Sequence, residues 1–538
     1  SCVALTGDTV DVISSSSYLA ERDAEKFKPF YQKLGLRCGT VYENNNNEES
    51  FDFHILYSTN TGFEFALLRE GISGKSTIQT TLLFENTKRQ RPRMTAIVDE
   101  ADNLFIDTAM NSARLAQGGT SKQSWIFKPI FEKVSQKKCT AKTIRNKLLE
   151  LATPDQIDSV NELTDEKLTK LIKYANKAIH LKRGIDYVVG RNKRNDRPEI
   201  LIVDANNTGR IMHGSRWSNG LHEFVEVKEG LEVREQSLTV ASISHPSFFE
   251  LYDEIFGLTG TLGEVSEREE IKDIYHIDTF DVPPNRKCLR KRENTLIVRS
   301  EKKKNELIIK TIVDVIGQKR PILVIVRSID ESQKLSDILR MQKIKHFVLN
   351  DQQPQDEDFI INLAGKPKAV TVATNTAGRG TDIRIDDIAL KNGGLHTLIT
   401  FFPSNLRVEC QALGRSGRQG QPGSCQIIFA SEEFGRDENG DDDAFTSDET
   451  LRLVYEKRSL GIKELSEERI ERFNQEKEIF EILKHYFAYI KKMTRFLDSA
   501  EAESLLKENY PGVNSMMIKS KLQESWAEFF SEVAACDI

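Results

Sequence analysis

Short apolar runs set between polar turns alternate with stretches of helical spacing through most of this chain, the pattern that parallel α/β domains leave in a sequence. Residues 10–14, 54–57, 95–98 and 201–203 form one set of predicted strands. Residues 295–298, 322–326, 346–349, 369–373, 395–402 and 425–429 form a second, so two α/β lobes are expected. Between Thr108 and Arg183 the spacing turns Lys- and Leu-rich and helical, with Leu148, Leu149, Leu151, Leu168 and Leu171 among polar residues. That stretch reads as an insertion, returning through 186–190 and 200–203, which are expected to pair as strands. From Glu464 onward Ile470, Phe473, Phe480, Leu483, Phe487, Ile490 and Leu497 recur at spacings of three, four and seven. They place an apolar stripe on one long helix, which Pro511 is expected to end. The stripe either packs on the lobes or meets a partner helix.

Length and composition then set the bounds. A chain of 538 residues with 38% apolar content exceeds a single core and predicts two to four domains. Charged residues make up 29%, both signs are interspersed, and the net charge of −6 supplies no global basic field for nucleic acid or anionic lipid. The seven cysteines are scattered and never spaced C-x-x-C, which argues against a disulfide framework or a zinc site and favours a reducing, cytoplasmic setting. No apolar stretch approaches a membrane span of about 20 residues, and no leader pattern opens the chain. Ser1 in place of Met is consistent with a piece of something longer.

The residues that carry chemistry come in blocks. The run 95–98 is apolar and β-prone, which puts Asp99 and Glu100 at the carboxyl end of a buried parallel strand, where α/β sheets bind ligands. Asp99 is suited to hold Mg²⁺ through water, and Glu100 to orient or deprotonate an attacking water. An acidic pair there also serves as a plain helix cap. Thr259 and Thr261, in Gly-Leu-Thr-Gly-Thr, suit a relay of nucleotide state through hydrogen bonds. The glycine-rich turn of Ala-Thr-Asn-Thr-Ala-Gly-Arg-Gly-Thr-Asp, with Gly378, Gly380 and Asp382, follows an apolar strand and offers amides to phosphate or polymer backbone. Gln411, Arg415 and Arg418 recur at intervals of four and three, so all three are expected on one helical face. There the guanidinium forks suit phosphate oxygens, the alternative being a solvated charged helix.

Two decoys fall away. Gly71-Ile72-Ser73-Gly74-Lys75-Ser76 resembles the end of a phosphate-binding loop, but Arg69 stands where the leading glycine belongs and a helical stretch precedes it, so a surface turn is expected. The acidic cluster at 436–443 has Asp442 where a calcium loop needs Gly, and lacks the closing Glu. No H-E-x-x-H or G-x-S-x-G occurs.

In order along the chain, SSSSYLAERDAEKFKPFYQKLGL, YSTNTGFEFALLRE, VDEADNLFID, IVDANNTGRIMHGSRWSNGLHEFVEVKEG, FGLTGTLGE, VPPNR, ATNTAGRGTDI, GGLH and QALGRSGRQGQPGS resemble the SecA family of protein-translocating ATPases from about residue 4 to about residue 430. DEAD-box helicases share the ATPase motifs but lack the segment from Ile202 to Gly230. The resemblance implies two RecA-like lobes, 1–107 with 215–285 and 286–450, a preprotein cross-linking-like domain inserted at 108–214, and a helical scaffold-like segment at 451–538. It implies Asp99 and Glu100 as Walker B acids, Thr259 and Thr261 in motif III, Asp382 in motif V, and Arg415 and Arg418 as motif VI arginines, with Arg418 the better finger. ATP and Mg²⁺ would act at the lobe interface, and unfolded polypeptide would be gripped by the insertion, at or near a membrane translocation channel. The chain departs from the family where TLITFFPSNLRVE, from Thr397 to Glu409, replaces a charged stretch, where Gln421 replaces Asp, and in the phosphate-binding loop expected before Ser1. An RNA or DNA helicase and a non-hydrolysing scaffold are the other two readings.

Overall fold

The computed structural model describes residues 1–41, 51–73, 78–81, 88–90, 92–109, 111–118, 124–136, 139–154, 156–161, 163–191, 197–203, 211–212, 217, 220–233, 237–349, 357–374, 382–431, 448–510 and 513–535. The chain divides into two compact units: Ser1–Lys173 with Glu232–Thr279 and Glu464–Ile538, and Tyr174–Leu231 with Phe280–Lys463.

The first unit is built on a five-stranded sheet in the order Glu254–Leu258, Thr95–Asp99, Val10–Ser14, Ile55–Thr59, Cys38–Thr40, with every pairing parallel. Its inner strands are buried on both faces because both faces are covered. Helix Ser17–Lys33 buries Ala20, Ala24 and Tyr31 against Val10, Ile55 and Tyr57. On the other face Ile13, Leu56, Ala96 and Val98 join Phe63, Phe105, Phe248 and Phe249. The strand Glu254–Leu258, absent from the sequence reading, is mostly exposed and forms the outer edge.

A second element escaped the hydrophobic pattern. Ser112–Gly118 and Ser237–Ser244 pair as an antiparallel ribbon, with a register shift between Thr239 and Ala241. Helices Phe127–Gln136, Ala141–Leu151, Ile157–Asn161 and Asp165–His180 bear out the helical spacing after Thr108. In the second unit Tyr187–Arg191 and Pro198–Val203 pair as strands, as expected, and the structure makes the pairing antiparallel.

The second unit carries an all-parallel sheet in the order Leu289–Arg292, Pro422–Ala430, Leu395–Ile399, Ile322–Val326, Val370–Thr374, Phe347–Leu349, with Leu296–Val298 also pairing with Pro422–Ala430. Each central strand is a continuous buried run, which is why the sequence marks them clearly.

The long helix is real but bounded differently. It spans Asp448–Leu497, beginning before Glu464 and ending before Pro511, which lies outside the described residues. Ser499 stops it by accepting the amide of Ala502 at 3.2 Å and so capping a new helix, Ala500–Asn509. Within the first unit Phe473, Phe480, Leu483 and Ile490 bury the predicted stripe against the core that holds Phe63 and Phe105. The packing reading of that stripe is the observed one.

Among the described residues no helix is long and apolar enough to cross a membrane.

Candidate functional site

In the first unit the strand Thr95–Asp99 lies between two parallel neighbours, and its buried apolar residues deliver Asp99 to the carboxyl edge with its side chain exposed. Glu100 follows in the left-handed region at φ +52°, a conformation that non-glycine residues adopt at a cost of order 1 kcal/mol or more. Its amide donates to Asp99 Oδ1 at 2.9 Å, closing a tight turn. The chain then enters a short π-helix, Asn103–Asp107, whose Phe105 ring packs on Phe249 and Tyr275. Buried aromatic packing therefore holds the turn from behind.

Thr259 and Thr261 belong to the same assembly. The parallel register sets Leu258 opposite Asp99, so the turn after the edge strand emerges beside the acidic pair. The Thr259 hydroxyl donates to Asp102 Oδ1 at 2.8 Å, and the Thr261 hydroxyl donates to Oδ2 at 3.1 Å. The Thr261 amide in turn donates to Thr259 Oγ1 at 3.0 Å. Asp102 is fully buried. Gly257 makes this approach possible, since a Cβ there would lie 3.0 Å from Ala101 Cβ and 3.1 Å from the Phe105 ring.

In the second unit the arginine block differs from its sequence reading. Helix Leu406–Leu413, capped by Asn405 accepting the amide of Val408 at 2.8 Å, contains Gln411 but ends before Arg415. Gly414 caps it, and Gly417 turns left-handed at φ +66°. Arg418 then opens a separate 3₁₀ turn, Arg418–Gly420. The three residues do not share one helical face, because the glycines that made the motif conspicuous break the helix inside it. Arg418 donates to Asp382 Oδ1 at 2.8 Å and to the Gly414 carbonyl at 3.1 Å, which joins the predicted motif V and motif VI residues. That ion pair is half-exposed and contributes little to stability. Gly378 and Gly380 lie outside the described residues.

Several supporting residues escaped the sequence reading. Asp102 is the last letter of the acidic motif, yet its value lies in the two threonines that reach it from an adjacent strand. Arg290 donates to the carbonyls of Leu413 at 3.0 Å and Ser416 at 3.3 Å, and Arg286 to Gln419 at 3.3 Å, so the basic run after Pro284 holds the arginine turn from below. Glu409, buried in the same helix, receives Arg292 and Arg458 at 2.6 Å each. The phosphate-loop decoy also resolves. Gly71 sits in helix Asn60–Ser73 with the Phe487 ring so close that a Cβ would meet it at 2.5 Å. It is a packing glycine, not the surface turn expected, and Gly74, Lys75 and Ser76 lie outside the described residues.

Two parallel-sheet units, one ending in an acidic turn and the other in an arginine turn, define an α/β protein of RecA-like architecture. Residues 1–272 match the SecA DEAD-like domain family and residues 287–390 the SecA P-loop domain family. The chain belongs to the SecA family. Protein translocase subunit SecA 2 of Clostridioides difficile (strain 630) is 34% identical over 450 residues, 80% of this chain and 55% of that protein. Protein translocase subunit SecA of Clostridium tetani (strain Massachusetts / E88) is 32% identical over 486 residues, 87% and 54% of the two. The chain spans about half the length of the curated relatives it matches. Among solved structures, S. cerevisiae Dbp5 bound to RNA and ADP BeF3 aligns at a TM-score of 0.36 and 12% identity, over 90% of this chain and 84% of that one.

Proposed function

We propose that this chain belongs to an ATP-driven, SecA-type motor that binds and moves unfolded polypeptide. The observation that carries the reading is the acidic turn, in which a strained Glu100 follows an exposed Asp99 and, two residues on, the buried Asp102 accepts from Thr259 and Thr261. Strain of this kind persists only where the surroundings enforce it, and it concentrates at working sites. The names of the relatives, translocase subunits, support polypeptide as cargo.

Residues 1–107 with 215–285 would be the first nucleotide-binding lobe, 108–214 the inserted cross-linking-like domain, 286–450 the second lobe, and 451–538 the scaffold-like segment. The donor set fits Mg²⁺-ATP. Asp99 presents a carboxylate to water, as a cation that keeps most of its hydration shell requires. Bound Mg²⁺-ATP would supply the phosphoanhydride and the charge to be neutralised. Asp99 would hold the hydrated cation, and Glu100 would orient the attacking water. Thr259 and Thr261 would fix the turn, with Asp382, Gln411, Arg415 and Arg418 as the second unit's contribution and Arg418 the finger. The exposed edge strand, with Phe256 and Leu258 open to solvent, offers a place for one more parallel strand leading into a phosphate-binding loop. A cytoplasmic protein working at a membrane channel is the setting this reading implies.

The test uses the protein with a G-x-x-x-x-G-K-[ST] segment joined upstream of Ser1. Turnover stimulated by unfolded polypeptide and not by RNA is expected. Glu100→Gln should abolish turnover while sparing ATP binding, and Arg418→Ala should slow it by about 10³-fold or more. Stimulation by RNA alone would replace the reading with a helicase. ATP binding without turnover in the unmutated protein would replace it with a scaffold.

A further inference from the structure

We propose that the helix Ser515–Ala535 is a latch on the Ser112–Gly118/Ser237–Ser244 ribbon, engaging it at a β-bulge through Trp526. Along the chain the two strands of the ribbon bracket the segment between Gly118 and Ser237.

Its register slips between Thr239 and Ala241, which leaves Val240 as the extra residue of a bulge. A bulge bends a strand and takes one residue out of the ladder. The Val240 carbonyl is the acceptor that Trp526 Nε1 takes, at 2.8 Å. Val240 is buried, so the indole supplies a hydrogen bond that water would supply in an undocked ribbon.

The indole is itself well held. Its ring stacks on Tyr486 of the long helix at 3.7 Å and 5°, and lies 5.3 Å from the fully buried Phe530. One turn earlier Gln523 donates to the Ile72 carbonyl at 3.4 Å, at the end of helix Asn60–Ser73. The helix thus touches the long helix, the sheet-covering helix and the ribbon together, with its hydrogen bond directed at the one irregular residue of that ribbon. In the docked state the bulge is braced and the ribbon stiff. Undocked, the bulge is a flexible point within the ribbon.

Hydrogen exchange on the full chain tests this without nucleotide. Trp526→Phe keeps the ring and removes the donor. Exchange at Ala113, Leu115, Ala241 and Ile243 should rise about tenfold, while Val10–Ser14 and Ile322–Val326 stay unchanged. Deleting residues 513–538 should raise ribbon exchange further, with the same sheets still protected. Unchanged ribbon exchange in Trp526→Phe overturns the latch. So does a rise shared equally by the ribbon and the central strands, which would mark the helix as ordinary core packing. The phenylalanine variant keeps the proposal testable if the deletion fails to fold.

Discussion

Thr259 and Asp102 stand 157 positions apart in sequence and join by a 2.8 Å hydrogen bond between a hydroxyl and a fully buried carboxylate. The bond exists because a parallel register places the strand ending at Leu258 beside the one ending at Asp99. Asp102 stands at the N-cap position of the π-helix that follows Glu100, with both carboxylate oxygens turned to the threonines.

Thr259→Val should destabilise the first unit by about 1.5–3 kcal/mol, since it takes a hydrogen bond from a buried charged group. Asp102→Asn should cost a similar amount. In a double-mutant cycle followed by denaturant melting, the two should couple by about 1 kcal/mol or more. Additive effects would remove the claim that the threonines brace the acidic turn through Asp102.

Glu100 pays for its position in strain. Glu100→Gly relieves a left-handed side chain, so the variant should gain about 1 kcal/mol in unfolding free energy, read as a higher denaturant midpoint of this chain. The same change should eliminate turnover in the extended protein, a stability gain set against an activity loss. Destabilisation by Glu100→Gly would show that the side chain does more for the fold than the backbone costs.

The two arginines on Glu409 should not behave alike. Arg458 is almost wholly buried, with its side chain 6% exposed, whereas that of Arg292 is 51% exposed. Arg458→Ala leaves the buried Glu409 with only the half-exposed Arg292 and should cost about 3–5 kcal/mol. Arg292→Ala should cost less than about 1 kcal/mol, as solvent screens the half-exposed guanidinium. Equal losses in thermal melts of the two variants would contradict this asymmetry.

His396 makes stability depend on pH. Burial, with the nearby Arg320 cation, lowers its pKa from the usual 6.5 to about 4. Its Nδ1 meets Ser424 Oγ at 2.8 Å, and Arg320 donates to the same hydroxyl. The folded protein holds the ring neutral while the unfolded chain protonates it near 6.5. Its contribution is therefore complete above about pH 6.5 and is lost as pH falls toward 4, at about 1.4 kcal/mol per unit. His396→Gln should flatten the fall in denaturant midpoint between pH 6.5 and 5. An unaltered slope would assign the acid sensitivity to other groups.

The sequence alone determined the central strands, the helical stretch after Thr108, the apolar stripe from Phe473 to Ile490 and the family. Those rest on local periodicity and on motif order, both written along the chain. A strand buried on two faces, such as Ile322–Val326, announces itself as an unbroken apolar run. Edge and connecting strands do not: Glu254–Leu258 and the ribbon at Ser237–Ser244 carry weak patterns, because pairing with a distant segment stabilises them. Local breakers also outweighed periodicity, Ser499 ending the long helix early and Gly414 and Gly417 dividing the arginine block. Only the tertiary structure gave Asp102 its two threonines, Gly71 its phenylalanine and the bulge at Val240 its indole, since each depends on which distant residue the folded backbone brings within a few ångströms.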